Sequence, residues 1–333
     1  MDFTELADLA AARVGGAVLY ANDEFFAPKE NLLKASAPVF LEGEYTERGK
    51  WMDGWESRRR RTPGFDWCLV RLGLAGRVRG VVVDTSFFRG NYPEQCSLEG
   101  CAVDGQPDAE QLLSAGIEWF ELLPQVQLKG DSQNPFTVET ERRVTHLRFK
   151  IYPDGGVARL RVYGEVAPDW TRLARFGLVD LAAVEHGGLV VACSDMFFGH
   201  RHNLIMPGRG VNMGDGWETK RRRGPGHDWV IVRLGRRGRV RQVEVDTAHF
   251  KGNYPDSCSL EGCDAGELID AGALAACDWR ELLPRTKLQA DTRHFYADEL
   301  AQTGALTHAR FNIYPDGGVS RLRLYGEIAD KDG

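Results

Sequence analysis

Two stretches of this 333-residue chain set acids beside arginines at close spacing. In the first, Asp53, Gly54, Trp55 and Glu56 precede Arg58, Arg59, Arg60 and Arg61. In the second, Asp215, Gly216, Trp217 and Glu218 precede Lys220, Arg221, Arg222 and Arg223. Arginine offers a planar fork that grips a carboxylate or ureido oxygen at two points. A nearby carboxylate can accept from amide NH₂ groups or act as a base. The plainer reading is a solvated basic loop pairing with its own acids, with the Trp as a packing anchor. A second pair of clusters follows, Asp84-Thr85 leading to Gly90-Asn91-Tyr92-Pro93 and Asp246-Thr247 leading to Lys251-Gly252-Asn253-Tyr254-Pro255. An Asp at a strand end before such a turn puts polar groups on a rim, where binding residues collect. It also serves as a turn cap through backbone hydrogen bonds.

Histidines separate the two stretches. The first half holds only His146, while the second holds His186, His200, His202, His227, His249, His294 and His308. Three replace apolar or fixed residues: His200 for Pro28, His227 for Phe65 and His249 for Phe87. Histidine exchanges protons near neutral pH, so proton transfer is expected in the second half, at His227 and His249. His200 and His202 could share a strand face and bind a metal with His249 or an acid. That signal is weak, so the expected metal and cofactor content is none, with a divalent metal as an option. The Cys96/Cys101 and Cys258/Cys263 pairs show two ligands per copy and read as structural thiols. No phosphate-binding glycine loop and no nucleophile elbow is present.

These clusters sit in a duplication. Residues 84–101 and 246–263 agree at 13 of 18 positions, and 151–165 and 313–327 at 13 of 15, both at an offset of 162. The openings 8–16 and 180–188 align at 172, so the first copy is ten residues longer before its Gly-Trp-Glu motif. A unit of this size is a domain, not a solenoid repeat. Residues 1–166 and 176–333 are the expected repeats, joined by a linker with a helical turn at 167–176. Within each, short strands dominate. Runs 66–73 and 78–85, and 228–235 and 240–247, are apolar or β-branched. Residues 145–156 and 157–166 alternate around Pro-Asp-Gly-Gly as a hairpin would. Helix is expected at the opening Asp-Leu-Ala-Ala-Ala, at 266–277 and at 297–304. The fold class is mainly β: two tandem jelly-roll β-sandwich domains, like galactose-binding-like modules by analogy.

Composition narrows the function classes. Hydrophobic residues make up 43% and charged residues 27%, as in globular protein. The net charge of −6 argues against a nucleic-acid partner. No apolar run is long enough for a bilayer. Asp2, Glu5 and Asp8 suit an amphipathic helix better than a secretory signal. Seven cysteines without a signal peptide point to reduced thiols and a cytoplasmic location.

The residues then resemble a known family. DEFFAPKENLLKASAPVF (23–40), GKWMDGWESRRRR (49–61) and VVVDTSFFRGNYPE (81–94) look like the N-terminal half of the allantoicase family. GWETKRRRGPGHDW (216–229) and VDTAHFKGNYPDSCSLEGC (245–263) look like its second half. The resemblance spans almost the whole chain and implies a duplicated jelly-roll-like fold. It also implies hydrolysis of allantoate to ureidoglycolate and urea in purine breakdown. For that substrate, Arg221, Arg222 and Arg223 are expected to hold the carboxylate, with Lys251 beside them. Asp215, Glu218 and Asn253 would accept or orient ureido NH groups. His249, Asp246, His227 and Glu218 are the candidate acid and base. Phe65 and Phe87 leave it open whether the first repeat has its own site. The competing reading is a non-catalytic ligand-binding or regulatory protein of ureide metabolism. A homo-oligomer also stays open.

Overall fold

The computed structural model describes residues 2–329, so Met1 and residues 330–333, at the outer ends of the expected repeats, lie outside it. The chain divides into two compact units, one ending at Ala167 and one beginning at Pro168. No helix in the described residues is long and apolar enough to cross a membrane.

Unit 1 contains β1 (Ala7–Asp8), β2 (Ala17–Ala21), β3 (Tyr45–Thr46), β4 (Gly49–Lys50), β5 (Trp55–Glu56), β6 (Asp66–Asp84), β7 (Gln95–Cys101), β8 (Phe120–Gln127), β9 (Gln133–Thr137), β10 (Val144–Tyr152), β11 (Gly156–Val157) and β12 (Arg159–Val166). The main antiparallel sheet runs β1-β12-β6-β10-β7-β8, with β2 and β9 also on β6. The first half of β6 pairs with β2 and β10, and its second half with β12 and β9. One strand thus belongs to two layers, which makes a sandwich of an unbroken ladder. Val81, Val83, Leu98, Leu147, Phe149, Ile151, Leu160 and Val162 fill the space between them, each 0–1% exposed. Alternation along the strands places them there.

Unit 2 repeats this plan with β13 (Val179–Asp180), β14 (Leu189–Cys193), β15 (Trp217–Glu218), β16 (Asp228–Asp246), β17 (Ser257–Cys263), β18 (Arg280–Lys287), β19 (Arg293–Tyr296), β20 (Leu306–Tyr314), β21 (Gly318–Val319) and β22 (Arg321–Ile328). Its order is β13-β22-β16-β20-β17-β18, with β14 and β19 on β16. The mainly β, duplicated sandwich expected from the sequence is the observed class.

Several element readings need correction. The two strands expected at 66–73 and 78–85 are one, β6, and those at 228–235 and 240–247 are β16. The runs 66–73 and 228–235 end in glycine because the backbone passes close to a neighbour there, not because the strand stops: a Cβ on Gly73 would lie 2.4 Å from the Val14 carbonyl oxygen. The alternating pair around Pro153-Asp154-Gly155-Gly156 is not a hairpin. β10 and β12 each pair with β6 and so flank it, and the turn carries the chain between layers. The opening is not an amphipathic helix. It holds a 3₁₀ turn at Phe3–Glu5, β1, and a second 3₁₀ turn at Ala12–Val14. The helix expected over 266–277 is confined to Ala271–Ala275, capped by Asp270, and residues 297–304 form turns without helix. The linker does form a helical turn, Trp170–Leu173, capped by Asp169.

Candidate functional site

The Gly-Trp-Glu motif builds the same device in each unit. Trp55 and Trp217 are fully buried, and each indole N–H donates to a backbone carbonyl, of Asp23 and Asp195, at 2.8 Å. They are packing anchors. Two-residue ladders, β5 on β11 and β15 on β21, then hold the next residue, Glu56 or Glu218. The Gly-Asn-Tyr-Pro turn supplies that glutamate's partner. Asn91 Nδ2 donates to Glu56 Oε1 at 2.7 Å, and Asn253 Nδ2 donates to Glu218 Oε1. Glu56 is buried, and desolvation pushes its carboxyl above the ordinary range despite the Asn91 hydrogen bond.

In unit 1 this pair adjoins a cavity of about 270 Å³ lined by Phe40, Lys50, Met52, Phe87, Arg89 and Asn91. Phe40 stacks on Phe87 at 5.7 Å, and Lys50 Nζ lies 4.5 Å over the Phe40 ring. Arg89 extends from the rim, held by Asp131 at 3.0 Å. Phe40 and Lys50 come from the stretch that makes the first copy longer. The cavity therefore combines two cations, apolar walls and an amide backed by a carboxyl.

Phe87 and His249 both have φ 70°, a left-handed conformation that is uncommon outside glycine. Each is fixed by its N–H donating to an aspartate, Asp131 at 2.8 Å or Asp291 at 2.7 Å. Strain of this kind collects beside functional sites.

The residues expected from the sequence fall into several places. Glu218 and Asn253 meet directly. Met213 Sδ lies 4.0 Å from Asn253 Nδ2. His249 Nε2 bonds to the Gly210 carbonyl at 2.8 Å and tethers the loop before Met213. Lys251 is exposed. Asp215 pairs with the buried Arg321 at 2.8 Å, as Asp53 does with Arg159 at 2.6 Å. Burial raises the Asp53 carboxyl, but Arg159 and Lys34 outweigh it and hold the group below its usual range. Arg222 turns inward to Asp228, and its N–H donates to Asp316 at 2.9 Å, while Arg221 and Arg223 are exposed. Asp246 is buried and accepts from Ala248 N–H at 2.9 Å and from Arg209 Nε at 3.2 Å. Asp84 likewise accepts from Ser86 N–H at 2.8 Å.

His227 lies in a different cavity, of about 370 Å³, against Tyr314 at 4.7 Å and Asn312 at 3.3 Å. His200 and His202 lie on the 3₁₀ turn Arg201–Ile205 and its cap, not on a strand face. Among the described residues, no three His, Cys, Asp or Glu side chains are grouped to hold a metal. All seven cysteines are free thiols. Burial pushes Cys96 and Cys258 up to about 12.

Sequence reasoning quoted Glu56, Asn91 and Phe87 but favoured the second copy because of its histidines. The extra length of the first copy is the stretch that carries Phe40 and Lys50.

Comparison with known proteins places the whole chain. The family model described as Allantoicase repeat matches residues 7–167 and 179–329. A protein of Photobacterium profundum named "Probable allantoicase" is 49% identical over 328 residues, covering 98% of both chains. "Probable allantoicase 1" of Burkholderia mallei is 50% identical over 323 residues, covering 96% of this chain and 94% of its own. A crystal structure of allantoicase from Saccharomyces cerevisiae matches with a TM-score of 0.82 at 35% identity, over 96% of this chain and 92% of that one. Both repeats and nearly the full length being matched, the chain belongs to the allantoicase family.

Proposed function

We propose that the chain hydrolyses allantoate to ureidoglycolate and urea, and that in unit 1 the chemistry takes place at the Glu56–Asn91 pair. Allantoate carries a carboxylate and two ureido arms on one central carbon. Release of urea breaks one bond from that carbon to nitrogen. The water hydroxyl joins the carbon, and the remaining water proton ends on the departing nitrogen. The step needs an acid for the leaving urea and a base for the water. Glu56 supplies both in turn: as the protonated carboxyl it gives its proton to the leaving nitrogen, and as carboxylate it takes one from water. Asn91 orients it. Lys50 and Arg89 hold the substrate carboxylate, and Phe40, Phe87 and Met52 keep bulk water away.

Glu218, Asn253, His249 and Lys251 form the counterpart in unit 2. Asp215, Arg222 and Asp246 act there by holding loops. In this reading no metal takes part, the partner is a small anionic ureide, and the free thiols suit a cytoplasmic setting.

The observation that carries the residue assignment is the buried carboxyl, raised by burial and bonded to an amide on the wall of a cavity with two cations. The test is urea release from allantoate by the purified chain and by Glu56→Gln, each with and without a chelator. The variant should lose about a hundredfold or more in turnover, and the chelator should change neither. Near-normal turnover by the variant would remove Glu56 from the mechanism, and loss with chelator would restore a metal to it.

A further inference from the structure

Unit 2 holds another cavity, of about 330 Å³, whose lining includes Glu185, Arg209, Glu244, Asp246, Arg293 and Arg323. The equivalent place in unit 1 is built differently. Val82 stands where unit 2 has Glu244, opposite Arg161 and Arg323 respectively. Gln133 stands where unit 2 has Arg293, opposite Asp84 and Asp246. Gly80 stands where unit 2 has Gln242, opposite Tyr163 and Tyr325. The Phe3 ring covers Gly80 so closely that a Cβ there would lie 2.4 Å from it, and it packs on Tyr163 at 6.0 Å. An aromatic ring thus packs over this place in one copy. In the other, charged side chains line the opening.

Those charges are costly. Glu244 is 4% exposed and Asp246 0%. Replacing a valine by a buried carboxylate that needs its own arginine usually lowers stability. Charges kept against that cost mark candidate binding sites. Two of the arginines are only partly committed. The side chain of Arg209 is 59% exposed and reaches Asp246 at 3.2 and 3.4 Å. That of Arg293 is 43% exposed and meets Glu244 at 2.7 Å. On the acceptor side, Glu185 Oε2 is buried without a hydrogen-bond partner. A simple anion would face Glu185, Glu244 and Asp246, and a simple cation would face the arginines.

We propose that this cavity binds a small acid that carries a carboxylate and ureido or amide NH groups, at a site separate from Glu56 and Asn91. The carboxylate meets the forks of Arg209 and Arg293, and the NH groups meet Glu244 and Glu185. The probe is N-carbamoylglycine, which has one carboxylate and one ureido arm, titrated calorimetrically into the full chain. Saturable binding is expected for the wild type and for Glu56→Gln. It should weaken about tenfold or more, some 1.4 kcal/mol, in the double variant Glu244→Val/Arg293→Gln, which installs the residues of unit 1. Urea release from allantoate by that variant should be unchanged. Arg209→Gln, a surface change, should weaken binding in the same direction, should the double variant fold poorly. Acetate alone and urea alone should each bind about tenfold more weakly than the probe. The proposal is overturned by no saturable binding to the wild type, by binding that survives in all unit 2 variants, by loss of binding in Glu56→Gln, or by acetate binding as well as the probe. Turnover is read separately, so failure here leaves the assignment of Glu56 standing.

Discussion

Burial alone raises the Glu56 carboxyl, as the proton transfer proposed for it requires. Its carboxyl is raised by desolvation, so the folded protein binds that proton more tightly than the unfolded chain does. The contribution to stability is therefore fully present below the unfolded pKa and is lost as pH rises through the folded one. Glu56→Gln removes the cost of the buried charge. Its Tm should match the wild type in acid, exceed it at neutral pH, and diverge as pH rises through and somewhat above the carboxylate range. Thermal melts of both proteins across pH check this, and a variant less stable at neutral pH would contradict it. Residue types at this site were legible, since Glu56 and Asn91 recur in both copies. The burial of Glu56 and the cavity beside Asn91 were not, because they depend on the Phe40, Lys50, Met52 and Phe87 side chains meeting across the fold. The orientation of the arginine run was hidden for a related reason. Arg222 turns in to Asp228 while Arg221 and Arg223 face water, a difference set by the tertiary partner and not by residue type.

At the scale of elements, the sandwich depends on the passage of β6 and β16 from one layer to the other. Gly73 lies at that passage, and a Cβ there would sit 2.4 Å from the Val14 oxygen and 2.6 Å from the Gly16 nitrogen. Both are backbone atoms that no rotamer change can move. Gly73→Ala should therefore cost about 3 kcal/mol through overpacking. Denaturant unfolding followed by circular dichroism would read it as a lower midpoint, and an unchanged midpoint would show that the layers can part to admit a methyl. Strand content was readable from alternation, but strand partners were not. The alternating runs on either side of Pro153 fit a hairpin locally, and only the long β6 between them rules it out. The helices expected at the opening and at 297–304 failed because tertiary pairing and turns override weak local preference.

The duplication gives the whole molecule two copies of the Glu–Asn pair, and the copies have diverged around them. Unit 1 has the longer loop, with Phe40 stacked on Phe87 beside Lys50. Unit 2 has the shorter loop, tethered by His249 to Gly210, with Met213 near Asn253 and 46% exposed. One aromatic position thus serves as a cavity wall in the first copy and as a loop clamp in the second. Three of the histidines that drew attention to unit 2 make contacts of this kind: His249 at Gly210, His227 at Asn312 and His308 at Leu268. Unit 1 should therefore carry most of the turnover. Glu218→Gln alone should keep at least about half of the wild-type rate, against the loss of about a hundredfold or more expected for Glu56→Gln. Initial rates of urea release from the two variants, at saturating allantoate, decide it. The opposite ranking would make unit 2 the working copy and unit 1 its structural partner. Equal and large losses from each single change would mean that neither glutamate works without the other.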